Sequence, residues 1–479
     1  MNIKEAKKEI EYTIRSYLAK DEAGSYRIPT ERQRPVLLIG PPGIGKTAIM
    51  RQIAEEMGIG LVSYTITHHT RQSAIGLPFI SQKNYGGKTY SVTEYTMSEI
   101  VASVYDHIER TGRKEGILFL DEINCVSETL VPTMLQFLQM KTFGTHHLPE
   151  GFVLVCAGNP PEYNRQVRDF DIVTLDRVKR LWVEEDLPAF FEYAAGQRIH
   201  GAVVSYLTIH ADHFYSVKND TDGKRFVTAR AWEDLAGALA AYEELDQPVT
   251  EAMVGAYLQD PEIAADFKVY YELWNRYRKV YRIPDVLSGA VSSNPELAAA
   301  AFDEKVSLLV LLAEAAAGEL AACSAEKEIQ KEIFGELKTL KAGLGEGGAG
   351  SVLSFLTERS RAREEELGKA RELRLISPER ERLARLVISG LKELLERLAR
   401  EGTGAGRGDF ALAREWFSER EERRKKGAVR ARERLTNVFH FLALTFGEGQ
   451  EMVLFLTQLS RSEDAMRFIA ENGNEEFYH

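Results

Sequence analysis

The chain is poor in cysteine. Its 479 residues hold only Cys125, Cys156 and Cys323, which lie far apart and show no CxxC spacing. That excludes a disulfide scaffold and a cysteine-based zinc module, and it fits small buried thiols in a reducing compartment. There is no excess of positive charge either. Lys and Arg number 61 against 72 Asp and Glu, a net charge of −11, which argues against a basic nucleic-acid surface spread over the molecule. The first twenty residues, MNIKEAKKEIEYTIRSYLAK, are charged throughout and lack the apolar centre of a secretion signal. The most apolar helical stretch, Val306–Ala322, is interrupted by Glu314 and Glu319. It reads as too short and too charged to span a bilayer. The expectation is a cytoplasmic protein without a membrane partner.

What is present is an ordinary globular balance, 44% hydrophobic and 28% charged, over a length that suggests about two to four domains. From about Arg34 to Val183 short apolar runs (PVLLIG, GLVSYTI, GILFLDE, FVLVCAGN) alternate with helical stretches (TAIMRQIAEEMG, MSEIVASVYDHIERTG, TLVPTMLQFLQM). Nearly continuous apolar runs are what strands buried on both faces of a parallel sheet require, so the pattern predicts an α/β domain with helices on both faces. Two segments interrupt it. Phe79–Tyr95 has β-rich runs around an Asn-Tyr-Gly-Gly turn and reads as a hairpin, and Lys141–Pro149 reads as a second, shorter loop or hairpin.

From Asp186 to about Ile283 the spacing is helical and strands are not expected. Beyond Pro295 the chain stays helical and becomes highly charged. Leu383, Leu386, Val387, Leu391, Leu394, Leu395 and Leu398 recur at one-face spacing. Glu419–Gly427, EREERRKKG, reads as a solvated helix face. The expected organisation is an α/β core at 1–185 with inserts near 79–95 and 141–149, a helical lid at 186–290, and a C-terminal helical region at 291–479. Gly-rich breaks fall near 343–350 and 402–408.

Leu37–Met50 reads LLIGPPGIGKTAIM, and Gly40, Gly43, Gly45, Lys46 and Thr47 fit G-x-x-x-x-G-K-[ST]. Glycines let a strand–helix loop turn several N–H groups inward, and the helix that follows adds its positive end, so the segment from Gly40 through Pro41, Pro42, Ile44 and Ala48 is a cradle for phosphates. Lys46 would reach the outer phosphates, and the Thr47 hydroxyl would ligate Mg2+. In GILFLDEIN, Asp121 ends a buried run where it could complete the metal shell, and Glu122 could polarise an attacking water. In FVLVCAGNPPEYN, Asn159 ends another and could orient that water and touch the γ-phosphate. His210 and His213 in TIHADHFY read as parts of a packed helix, since no third metal ligand is in view.

GPPGIGKT, LFLDE and CAGNP, in that order, resemble the Walker A, Walker B and sensor 1 motifs of AAA+ ATPases. The two inserts make the likeness closest to the MoxR-type branch, over roughly residues 30–285. The resemblance implies five parallel strands with the sensor 1 strand between the P-loop and Walker B strands, and ATP with Mg2+ as ligands. It implies an arginine finger at Arg177 in TLDRVKRLWVEED, with Arg180 as the alternative, and a sensor 2 arginine at Arg230 in FVTARAWEDL. It further implies a homo-oligomer, expected to be a hexameric ring, acting as a chaperone or remodelling ATPase on a partner protein. That partner would be a separate polypeptide with a von Willebrand A domain, because no D-x-S-x-S motif of such a domain occurs here. The alternatives are a nucleic-acid-dependent motor, for which Arg71, Lys83 and Lys88 could form a local basic site, and a scaffold that ATP only assembles.

Overall fold

Val36–Ile39 (β1) is a run of four apolar residues with no face for water, and all four are buried. A computed structural model describes residues 1–66, 76–126, 130–163, 172–220, 223–343, 351–373, 375–402 and 406–478. They form two units, Met1–Ala189 with Thr228–Ala231, and Phe190–Val227 with Trp232–His479.

In the first unit β1 is followed by the Lys46–Met57 helix and by β2 (Gly60–Thr65). A hairpin comes next. Its strands β3 (Pro78–Tyr85) and β4 (Lys88–Tyr95) pair antiparallel across Gly86 and Gly87, both at positive φ, the turn that matches strand twist. The Glu99–Thr111 helix leads to β5 (Gly116–Asp121), and the Val131–Met140 helix to a short hairpin of β6 (Thr142–Phe143) and β7 (His146–His147). β8 (Phe152–Gly158) and β9 (Lys179–Trp182) close the series.

The main sheet has the order β2-β5-β8-β1-β9, with every neighbouring pair parallel. β8 thus lies between β1 and β5. Leu37, Leu118, Leu120, Leu154 and Cys156 pack with Val101, Val104, Met134 and Phe137 on one face. Val36 and Leu38, alternating with Leu37, are equally buried on the other. β9 differs. As an edge strand it buries Leu181 and exposes Arg180 and Trp182, so it has no continuous apolar run to announce it.

The second unit is built on the 42-residue Phe302–Gly343 helix, which packs against the Gly201–Ile209, Gly406–Phe446, Gln450–Ser460 and Glu463–Asn472 helices. The apolar stretch expected to be too short for a membrane therefore belongs to a helix long and apolar enough to cross one. In this fold 61% of its apolar window is buried, as a core helix requires. A second cluster joins Ile333 and Leu337 to Val387, Leu391, Leu394, Leu398 and Trp416. Leu386, part of the leucine stripe, faces outward.

The all-helical lid needs correction. Ser216–Asp220 (β10) and Gly223–Val227 (β11) form an antiparallel hairpin in which Val217 faces Phe226. Helical spacing on either side masks the short run from Lys224, in which exposure alternates before it ends on buried Val227. Gly406–Gly408, expected in a Gly-rich break, open the Gly406–Phe446 helix.

Candidate active site

The parallel register brings three strand ends together. Ile39 pairs with Gly158, and Leu120 with Cys156, so the residues after β1, β5 and β8 meet at the carboxyl edge of the sheet, where open α/β sheets bind ligands. The loop after β1 turns through Gly45 at φ 95°, a conformation that strains any side-chain-bearing residue. Gly45 is also the N-cap of the Lys46–Met57 helix, so the unpaired N–H groups of its first turn face the loop. Pro41 and Ile44 are buried and anchor the loop, Pro42 and Gly43 are half-buried, and Thr47 and Ala48 are exposed at the mouth.

Lys46 is buried and folded back. Its Nζ donates to the carbonyls of Gly40 and Pro41, each at 2.7 Å, and to Asn159 Oδ1 at 2.9 Å. Burial pushes its ammonium down to about 8. Asp121 and Glu122 oppose that shift, and the nearby charge of Arg230 adds to it. The Thr47 hydroxyl donates to Asp121 Oδ2 at 2.8 Å, and Asp121 Oδ1 accepts from the Glu122 N–H at 3.0 Å. A hydroxyl and a carboxylate in contact form an all-oxygen pair suited to a hard divalent cation.

Glu122 sits at φ 56°, ψ 37°, a left-handed conformation of about 1–3 kcal/mol cost for a residue other than glycine. It starts the tight turn Ile123–Cys125. Within that turn lies a residue that motif reading passed over. Asn124 is buried, and its Nδ2 donates to the main-chain carbonyl of Asn159 at 2.7 Å. Its Oδ1 has no hydrogen-bond partner among the described residues. It occupies the space a side chain at Gly158 would need, since a Cβ there would lie 2.5 Å from Oδ1. Asn124 thus ties the acidic turn after β5 to the Asn159 segment after β8. The signal in the sequence was slight: a small residue before Asn159, and an amide three positions after Asp121.

Arg230 also reaches the loop. Its N–H donates to the Gly43 carbonyl at 3.1 Å, and its exposed side chain is close enough to act on the Lys46 charge. Arg177 is not brought in. It follows the short Ile172–Leu175 helix, is exposed, and makes no side-chain hydrogen bond or ion pair among the described residues. Arg180 is exposed on β9 beside Leu37. Of the residues weighed for a basic site, Lys83 is ion-paired with Glu94, Lys88 is exposed, and Arg71 lies outside the described residues.

A glycine-turned loop between a buried strand and a helix, a buried lysine and a hydroxyl–carboxylate pair beside it define a P-loop nucleotide-binding domain. Comparison with known proteins narrows the class. The model of the ATPase family associated with various cellular activities (AAA) matches residues 36–174, so this part of the chain carries an AAA ATPase domain. A human protein, ATPase family gene 2 protein homolog A, is 38% identical over 102 residues, which are 21% of this chain and 9% of that protein. The similarity thus spans less than a tenth of that relative's length.

Proposed function

We propose that the chain is a MoxR-type AAA+ ATPase that hydrolyses ATP at the boundary between subunits of a hexameric ring and uses the cycle to remodel a partner protein. The observation that carries this reading is the meeting of Lys46, Thr47, Asp121, Glu122 and Asn159 at one edge of the sheet, while Arg177 stands exposed and without a side-chain partner among the described residues. The P-loop N–H groups and Lys46 bind the phosphates, Lys46 exchanging the Gly40 and Pro41 carbonyls for phosphate oxygens. Mg2+, held by Thr47 and Asp121, supplies charge neutralisation on the triphosphate when bound. Glu122 accepts a proton from the attacking water, and Asn159, released from Lys46, orients that water. Arg177 of one subunit neutralises charge on the nucleotide of the next, and Arg230 senses the γ-phosphate. The hairpins β3–β4 and β6–β7 support the MoxR-type assignment, and with it a separate partner bearing a von Willebrand A domain.

The test uses Glu122→Gln and Arg177→Ala. Glu122→Gln retains ATP binding and loses about 10²-fold or more of turnover. Arg177→Ala loses about 10³-fold or more, the value of an arginine supplied in trans. Mixing the two restores part of the activity, because an Arg177→Ala subunit with its intact Glu122 can then face the intact Arg177 of a Glu122→Gln neighbour. Full activity of Arg177→Ala, or hydrolysis that does not depend on protein concentration, overturns the shared site. ATP bound at fixed stoichiometry without phosphate release from the wild type supports the scaffold instead. Capture of a partner on the ATP-loaded Glu122→Gln variant tests the remodelling role, and retention of nothing but this chain counts against it.

A further inference from the structure

We infer that the second unit contains a site for a divalent first-row transition metal, built by His210, His213 and Asp266. It shares no residue with the nucleotide site, and neither reading depends on the other. The Gly201–Ile209 helix stops at His210, whose φ of −113° and ψ of 63° leave the helical region, and the chain continues as the tight turn Ala211–His213. That turn stacks the two imidazoles, with ring centroids 5.2 Å apart and planes inclined by 10°. Asp266 arrives from the Pro261–Val280 helix. One potential ligand atom from each of the three residues lies within 4.8 Å of the other two. Ligands about 2.0–2.2 Å from a tetrahedral ion stand roughly 3.5 Å from one another, so side-chain rotation of the order of 1 Å closes the set.

Three features favour an ion over a self-satisfied cluster. The ring nitrogens of His210 make no hydrogen bond among the described residues. Tyr206, fully buried beneath the histidines, donates its hydroxyl to Asp266 Oδ2 at 2.8 Å and meets His213 Nδ1 at 2.7 Å, so one phenol orients both an imidazole and a carboxylate. Asp212 adds a second carboxylate, 3.7 Å from His213 Nε2. Two imidazoles and a carboxylate suit zinc, nickel or cobalt and disfavour magnesium or calcium. Asp266 and Asp212 are exposed and give an ion entry from water. A bound ion would fasten the turn after the Gly201–Ile209 helix to the Pro261–Val280 helix.

The experiment takes the full-length protein, freed of metal by chelation and without nucleotide. Zn2+ alone is titrated against a chromophoric competitor, and Co2+ alone is followed by its visible ligand-field bands. The wild type is expected to bind one more Zn2+ than His210→Ala or Asp266→Asn, with a Zn2+-dependent rise in Tm that both variants lose and that Mg2+ does not produce. Both changes are at solvent-accessible positions, and the metal-free Tm of each variant shows that it is folded. Tyr206→Phe keeps the site but weakens it about 10–100-fold, as loss of an orienting partner does. Equal Zn2+ stoichiometry and affinity in the wild type and both variants overturns the assignment, as does a Co2+ spectrum that His210→Ala leaves unchanged.

Discussion

The buried cation of the first unit, Lys46, rests on neutral oxygens, whereas a buried carboxylate of the second, Glu336, is held by opposite charge. Lys46 is desolvated and rests on two main-chain carbonyls and the Asn159 amide oxygen, and Asn124 Oδ1 has no partner among the described residues. In the second unit the carboxylate of Glu336, only 4% exposed, is held by Arg359 at 2.8 and 3.0 Å and by Arg363 at 2.6 Å. Burial alone would raise the Glu336 carboxyl, but the two guanidinium groups outweigh it and hold the pKa below the ordinary value. The difference is instructive. A site that must receive a polyanion holds its cation on neutral carbonyl and amide oxygens that phosphate oxygens can replace, at a local cost in stability. Glu336 is neutralised within the fold by its own guanidinium partners.

The sharpest way to break this comparison is Glu336→Ala. It strands Arg359 and leaves Arg363 with Glu332 alone, and is expected to cost about 3 kcal/mol, the lower end for a broken buried pair because Arg359 is partly exposed and Arg363 keeps a partner. Urea unfolding measures it. The sign with pH follows from the depressed carboxyl. Its stabilising contribution is present above the unfolded value of 4.5 and is lost as the pH falls below it, so Glu336→Gln flattens that acid limb. A loss below 1 kcal/mol would mean that the charges around Glu336 hold it no more firmly than neutral oxygens hold Lys46.

Next in size is Asn124→Ala. If Asn124 positions the Asn159 segment, kcat for ATP falls about 10–10²-fold while KM stays within about twofold. The Tm moves little, because an orphan oxygen leaves together with a hydrogen bond. A parallel change in KM, or a large fall in Tm, would make Asn124 a packing residue.

The third effect is on pH. The folded pKa of Lys46 is lowered to about 8, so in the free protein the ammonium is fully charged only well below that pH. Phosphate binding restores the charge, so nucleotide affinity should be flat below pH 8 and fall about tenfold per unit above it, with proton uptake on binding. Isothermal titration at pH 7, 8 and 9 checks both. A flat profile would show that Lys46 is not desolvated. The smallest effect belongs to a capping group of the second unit. Ser377 accepts from the Arg380 N–H at 3.3 Å, and Ser377→Ala should cost about 1 kcal/mol in urea unfolding without altering nucleotide binding.

Much of the first unit was legible because its signals are local. β1, β5 and β8 announce themselves as continuous, buried apolar runs, β2 starts apolar although its second half is exposed at the sheet edge, and the Gly40–Thr47 motif carries its geometry in its spacing. β9 was harder, since an edge strand alternates Arg180, Leu181 and Trp182 and resembles any half-exposed segment. The lid hairpin escaped because two five-residue strands between helices carry too short a period to stand out. The Val306–Ala322 stretch was judged too short only because helix length is set by packing partners on both sides of it.

The sequence by itself determined the elements within short reach: the phosphate loop, the acidic strand end, the amide of Asn159 and the leucine stripe of the second unit. These depend on neighbours a few residues away, where backbone conformation and side-chain periodicity leave little choice. Tertiary structure alone decided that Asn124 holds the Asn159 segment, that Arg230 reaches Gly43, and that Asp266 joins His210 and His213. Such meetings depend on strand order and helix packing between positions far apart in the chain, and no local pattern encodes that order.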